Sequence, residues 1–365
     1  MKKTAVFLMA LSLLLVWTLP VFAAERPQNE AALTWLRGYQ QADGGFTNGY
    51  ADGSDLGTTV EVVLAAAAAG ADVSGWLSTD DGSPLDYLAS QVKAGQASDA
   101  NRLSKVILAA VATGQNPRDF GGKDLVAALL ASQDAATGQF GDSLFAHAYA
   151  ILALHSAGAV APQNAVDLLT GQVTDDGAWA LFGGKTPGTA DTNTTALAIQ
   201  ALVATGELDV ARGALPYFQR MQNADGGFPY QKPSQWGADT DANSTAVVLQ
   251  ALHALGEPLG AWAAGGTDPL GALLALWDAG SGGYFWQASA PYPNIMATAQ
   301  AVQAAEGMDL VNLSVVGAAR APRATAIAPA AAIPLLPESG GFAAPGLVVL
   351  AGLALAGAGL VLRRR

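Results

Sequence analysis

No cysteine occurs in the 365 residues. Disulfide staples, thiolate zinc sites, thiol nucleophiles and thioesters are thereby excluded, and the fold must hold by burial alone. Charge is scarce as well: Asp, Glu, Lys and Arg make up 13% of the chain, with 18 basic against 30 acidic residues and a formal net charge of −12. Five of the cations (Lys2, Lys3, Arg363, Arg364, Arg365) stand at the two ends, and without them −12 becomes −17. Such a surface repels polyanions and carries no basic cluster, which speaks against nucleic acid as a partner. Histidine is limited to His147, His155 and His253, and the first two lack a third ligand beside them. His147 and His155 stand eight apart on one apolar segment and are expected as packed, hydrogen-bonded imidazoles.

What is present starts at the ends. Lys2 and Lys3, an apolar run over residues 5–19, and small residues at Val21 and Ala23 have the pattern of a signal peptide over 1–23, with Ala24 as the mature N-terminus. Residues 342–362 contain no charge and precede three arginines, long enough to cross a bilayer with a positive cytoplasmic stop. Just before them stands "LPESG": Leu336, Pro337, Glu338, Ser339 and Gly340. It resembles a sortase sorting signal with serine at the usual threonine, and the alternative is a plain C-terminal membrane anchor. Both place the chain outside the cell, in the membrane or transferred to the wall. Residues 311–335 read as an Ala/Pro-rich linker, leaving 24–310 as one domain.

That domain repeats. Helix-closing glycines fall at Gly70, Gly114, Gly158, Gly206, Gly256 and Gly307, at intervals of 44, 44, 48, 50 and 51. The segment before each is apolar on every face, as in "TTALAIQALVATG", and such a helix must be surrounded by protein. The segments before those are amphipathic: Leu85, Leu88 and Val92 in one unit, Leu215, Phe218 and Met221 in another. Six outer–inner hairpins with parallel inner helices close into an all-α (α/α)6 toroid, with an open solenoid as the alternative. A C-terminal transmembrane helix would follow it.

The inner segments open on Asp55, Asp99, Asp142, Asp191, Asp241 and Asn294. Asp and Asn are preferred N-caps, so the recurrence needs no chemistry. In a toroid, however, the six N-termini share one mouth, and the loops leading there are rich in aromatics. Phe46, Phe140, Trp179 and Phe228 recur at a fixed place in "QQADGGF"-like turns and are expected to serve the repeat. Tyr50, Trp236, Trp286, Tyr292, Phe182 and Tyr230 are the ligand-binding candidates. Asp239, Asp241 and Asp191 are the weak catalytic candidates. Asp239 and Asp241 can pair to raise one pKa, but a helix N-terminus and an open mouth lower it. The glutamates (Glu30, Glu61, Glu207, Glu257, Glu306) fall mostly at helix ends and form no obvious glycosidase pair. Asp52, Asp55, Asp239 and Asp241 could hold calcium, yet no ordered ligand loop is present.

The Gln-X-X-X-Gly-X-aromatic turns, at Gln40/Gly44/Phe46 and Gln222/Gly226/Phe228 and with one extra residue at Gln133/Gly138/Phe140 and Gln172/Gly177/Trp179, resemble those of the terpenoid-cyclase and protein-prenyltransferase toroids. So do "DTNTTALAIQAL" and "DANSTAVVLQAL"; the resemblance spans residues 29–307. In squalene-hopene-type cyclases the pattern Asp-X-Asp-Asp-Thr-Ala protonates the substrate through its middle acid. Aligned on Thr245-Ala246, this chain has Asp241, Asn243 and Ser244, an amide in the donor's place. Asp191-Thr-Asn193-Thr-Thr195-Ala196 departs in the same way. "YPNIMATAQAVQAA" and the pairs Thr195/Gln200, Thr245/Gln250 and Thr298/Gln303 are similar to the toroid of cobalamin-binding transport proteins, which implies a corrinoid-like ligand under a lid from a partner chain.

These readings converge on a surface-displayed toroid that binds an apolar or mixed-polarity small molecule or polymer without catalysis and with no resident cofactor. A degenerate cyclase-like enzyme and a structural or adhesive spacer are the alternatives. An enzyme should show an acid of raised pKa in a closed cavity, and a binding module an open, aromatic-lined mouth with solvated carboxylates.

Overall fold

The computed structural model describes residues 27–313 apart from 235 and 236. The signal-peptide, sorting-motif and membrane-span readings, the linker from residue 314 on, and Trp236 lie outside the described residues; at the expected start of the linker, Val311 and Leu313 instead pack on the domain. Among the described residues no helix is long and apolar enough to cross a membrane.

Thirteen α-helices run through this region: α1 (Pro27–Arg37), α2 (Leu56–Ala68), α3 (Pro84–Lys93), α4 (Ala100–Ala112), α5 (Leu125–Ala131), α6 (Leu144–Ser156), α7 (Gln163–Gly171), α8 (Thr192–Thr205), α9 (Leu208–Gly213), α10 (Leu215–Met221), α11 (Ala242–Ala254), α12 (Pro269–Leu274) and α13 (Ile295–Ala305). A short hairpin, β1 (Phe285–Gln287) with β2 (Ala290–Pro293), precedes the last. Helices α2, α4, α6, α8, α11 and α13 pack each against the next, and α13 packs back on α2. That last contact closes the ring and distinguishes a toroid from an open solenoid. The remaining helices form the outer layer.

Burial follows the hydropathy pattern. Every residue of α2 except Gly57, and every residue of α6 except His155, is buried. Outer α3 buries only Pro84, Tyr87, Leu88 and Val92. A helix walled on all sides has no place for a polar stripe, whereas an outer helix needs one.

The recurrent turn is the joint between the layers. Gln40 Nε2 donates to Gly44 O (3.1 Å) and Trp76 O (2.8 Å), and Gln222 Nε2 to Gly226 O (2.9 Å) and Trp262 O (2.6 Å), so one amide closes its own turn and grips the next unit. Gly44 adopts φ +89°, and a Cβ there would lie 2.5 Å from Ser83 O, so only glycine allows the approach. The aromatic of each turn is fully buried at Phe46, Phe140, Trp179, Phe228 and Tyr284. Its backbone N–H donates to a side chain on the inner helix: Phe46 to Thr59 (2.9 Å), Trp179 to Thr195 (3.1 Å), Phe228 to Thr245 (3.0 Å) and Tyr284 to Thr298 (2.8 Å). In the third unit an imidazole replaces the hydroxyl. His147 Nδ1 accepts from Phe140 N (3.0 Å), so Nε2 bears the proton and donates to Ala165 O (2.9 Å). Burial holds the His147 pKa below its ordinary value, consistent with a neutral, structural ring.

Polar side chains also fill the axis. Lys105 Nζ pairs with Glu61 Oε1 at 3.3 Å, both almost wholly buried, and lies 5.3 Å from the centroid of the Tyr149 ring. Gln303 Nε2 donates to Glu61 Oε2 (3.0 Å), and Gln250 Nε2 to Gln303 Oε1 (3.3 Å). Glu61 thus sits mid-helix with its charge compensated. At the end away from the inner N-termini the chain turns inward after α13: Leu310 N donates to Gln200 Oε1 (2.9 Å), while Asp309 meets His253 Nδ1 at 2.7 Å. Met308, Asp309, Leu310 and Leu313 are buried and stopper that end.

Candidate functional site

The six inner N-termini open on one mouth. Asp55 Oδ1 accepts from Thr58 N (2.7 Å), Asp99 from Arg102 N (2.9 Å), Asp191 from Thr194 N (2.7 Å), Asp241 from Ser244 N (2.7 Å) and Asn294 from Ala297 N (2.9 Å). Asp142 is not a cap. Helix α6 starts one residue later, Ser143 Oγ takes the Ala146 N–H (3.2 Å), and Asp142 is exposed. The sequence held the signal: Asp55–Gly70, Asp99–Gly114, Asp191–Gly206 and Asp241–Gly256 are each fifteen apart, and so is Ser143–Gly158.

The caps differ in environment. Asp191 and Asp241 are 2% and 3% exposed. Burial raises their pKa values to about 6 and about 7, against hydrogen bonds from Thr194 and from Ser244 that favour the carboxylates. A bare helix N-terminus at an open mouth would have lowered them; the long fourth to sixth loops cover both carboxyls, and Asp239 does not pair with Asp241 but accepts from Ser289 Oγ at 3.1 Å. Tyr230 joins the two. Its C=O accepts from Thr192 N (2.8 Å), its N–H favours the Asp241 carboxylate and its hydroxyl favours that of Asp191. Asp191 Oδ2 and Asn193 Oδ1 nevertheless have no hydrogen-bond partner of normal geometry. A backbone bridge from Asp241 to Gln287 lays the β1–β2 hairpin over the start of α11.

The aromatics divide in the same way. Tyr50, Phe182 and Tyr292 are 62%, 80% and 75% exposed, and the Tyr50 hydroxyl accepts from Asn294 Nδ2 at 3.1 Å, tying the first loop to the last cap. Tyr230 and Trp286 are half-buried, Trp286 against the core. The structure therefore makes Tyr230 a strut and Trp286 a partly packed residue. Asn243, in the cyclase donor's place, donates through Nδ2 to Gln300 Oε1 at 2.8 Å, and an amide has no proton to transfer as a general acid. Among the described residues no group of three His, Asp or Glu side chains is placed to hold a metal, and Asp52, Asp55, Asp239 and Asp241 do not converge. The mouth combines features of both alternatives: exposed rings and solvated carboxylates together with covered acids of raised pKa.

Sequence reasoning missed Asn101 and Lys105. Asn101 Oδ1 is buried without a partner, and Lys105 lines a cleft at the second unit. The cluster of Asn101, Arg102, Ser104 and Lys105 in one inner segment was the available signal.

No protein-family profile and no curated protein matches this sequence. Solved structures do match its fold. The apo type II terpene cyclase MstE from Scytonema aligns with TM-score 0.55 at 15% identity, over 79% of this chain and 98% of that one. A variant of the same cyclase in complex with geranylgeranyl dihydroxybenzoate gives 0.57 at 16%, over 79% and 97%. A glycosidase variant in complex with glucose gives 0.51 at 14%, over 78% and 96%. At such identities the likeness is one of fold alone: the described residues form an α/α toroid.

Proposed function

We propose that this protein is an exported toroid, held at the cell surface by its C-terminal segment, whose mouth binds a small molecule or polymer of neutral or mixed polarity. The observation that carries the reading is the contrast between two sets of rings. Those in the repeat register are wholly buried, whereas Tyr50, Phe182 and Tyr292 stand out at the rim, where exposed apolar surface calls for a ligand. Such rings stack on isoprenoids, corrinoids or sugars alike. Absence of turnover is supported by the amide at Asn243 and by the axis filled with Glu61, Lys105, Tyr149 and Gln303, which leaves that space to side chains. A corrinoid-like ligand would need a lid from a partner chain.

The test is calorimetry of the full chain with soluble glucans, farnesol and cyanocobalamin, repeated on Tyr50→Ala, Tyr292→Ala and Trp236→Ala. A ligand whose affinity is untouched by all three sinks the reading of the mouth. One observation favours a second reading: Asp191 and Asp241, raised to about 6 and about 7, hold protons near neutral pH as general acids do. Product formation that disappears in Asp241→Asn would establish it. For the anchor, mass spectrometry of surface-extracted protein decides between the two forms, and an intact Arg365 eliminates sortase processing.

A further inference from the structure

The ring of turns has a gap. Every outer-to-inner connection carries an aromatic turn except the second, residues 94–99 between α3 and α4, which is short and has no ring; α4 accordingly has Leu103 where the other inner helices offer a hydroxyl or imidazole. A cleft of about 170 Å³ opens at this gap, lined among others by Asp55, Gln91, Gln96, Asn101, Arg102 and Lys105. At its floor the Lys105 ammonium, almost wholly buried, meets Glu61 Oε1 at 3.3 Å and the Tyr149 ring. Asn101 Oδ1 is buried there with no donor facing it.

We propose that this cleft binds one neutral sugar unit, a pyranose of an extracellular glycan. The inference deepens the reading of the mouth as a binding surface and rests on it. The lining chemistry identifies the class. A sugar hydroxyl both donates and accepts, and the planar groups of Gln91, Gln96 and Asn101 offer a donor and an acceptor side by side, while Asp55 accepts and Arg102 donates. The charges balance locally: Arg102 lies 3.4 Å from Asp99, and Lys105 is paired with Glu61, so no free cation awaits a phosphate or carboxylate. Size agrees. An open cleft of about 170 Å³ has room for a ring of hydroxyls.

The experiment is saturation-transfer NMR and calorimetry of the full chain with D-glucose, D-galactose, D-mannose and N-acetylglucosamine, with glucuronate and farnesol for comparison. At least one neutral sugar is expected to bind saturably, with Kd on the order of 1 mM. Asn101→Ala and Gln96→Ala should each weaken it about threefold to tenfold, and Val160→Ser, far from the mouth, should not. Circular dichroism melts confirm that the variants are folded. Sugar binding unchanged in Asn101→Ala and Gln96→Ala overturns the cleft, as does the absence of any sugar binding by the native chain. Farnesol or cyanocobalamin binding that is lost in Tyr292→Ala would still uphold the mouth reading in either case.

Discussion

Asp99 and Asp241 hold the same post, each one residue ahead of an inner helix and each accepting the N–H three residues on, yet they live in different media. Asp99 is exposed and pairs with Arg102 at 3.4 Å. Asp241 is buried under the hairpin, both its oxygens engaged by Ser244, and its pKa is raised to about 7 by burial. The difference lies in the loops: residues 94–99 are too few to cover anything, while 222–241 and 275–294 fold over the cap. One capping motif thus gives a wet, polar, open side and a dry, proton-holding, closed side. A cap is a local device; its protonation state is a property of what lies above it.

The largest expected effect lies beneath the open side. Removing one partner of a buried ion pair strands the other charge, so Lys105→Met should lose about 3–5 kcal/mol, and Lys105→Met with Glu61→Leu should recover much of that. Urea denaturation of the native protein and the two variants measures it, and equal losses in the single and double variants would show that packing, not charge, holds the axis.

On the closed side, Asp241 holds its proton more tightly folded (about 7) than unfolded (3.8). Its contribution is complete below pH about 4 and is lost as pH rises to about 7; at about 1.4 kcal/mol per unit the loss is at most about 4 kcal/mol. Asp241→Asn keeps the cap and discards the ionisation. It should therefore match the native protein at pH 4 and exceed it at pH 8. A flat difference between pH 4 and 8 for Asp241→Asn would remove the contrast between the two sides.

Thr245→Val orphans the buried Phe228 N–H and should destabilise by about 1–3 kcal/mol. The second unit, with Leu103, offers no such bond, so Leu103→Thr should gain nothing. The smallest effect belongs to the exposed cap: Asp99→Ala is expected to lose about 0.5–2 kcal/mol, and Asp99→Asn only a few tenths. Thermal melts check both pairs.

Much of the fold was legible because it rests on local rules repeated six times. Gly70 to Gly307 mark the helix ends, all-apolar segments such as "TTALAIQALVATG" demand an inner position, and the buried Phe46, Phe140, Trp179 and Phe228 follow from their shared register. The error at Asp142 arose one residue from a correct rule, since either Asp or Ser can cap and only the exact helix start chooses. The candidate site was less legible. Exposed Tyr50, Phe182 and Tyr292 stand apart from the repeat in sequence, but the packing of Trp286, the strut made by Tyr230 and the cleft at Asn101 depend on what neighbouring units place above and beside them.

The amino-acid sequence by itself determined the repeat, the layer to which each helix belongs, the capping residue types and the lack of any thiol chemistry, because each depends on the periodicity or composition of a short stretch. Tertiary structure alone decided that α13 meets α2 and closes the ring, that Glu61 and Lys105, 44 residues apart, share a charge at the axis, and that Asp241 is dry while Asp99 is wet. Those outcomes depend on desolvation and on contacts between distant segments, and a residue's distance from water is set by the atoms of other units.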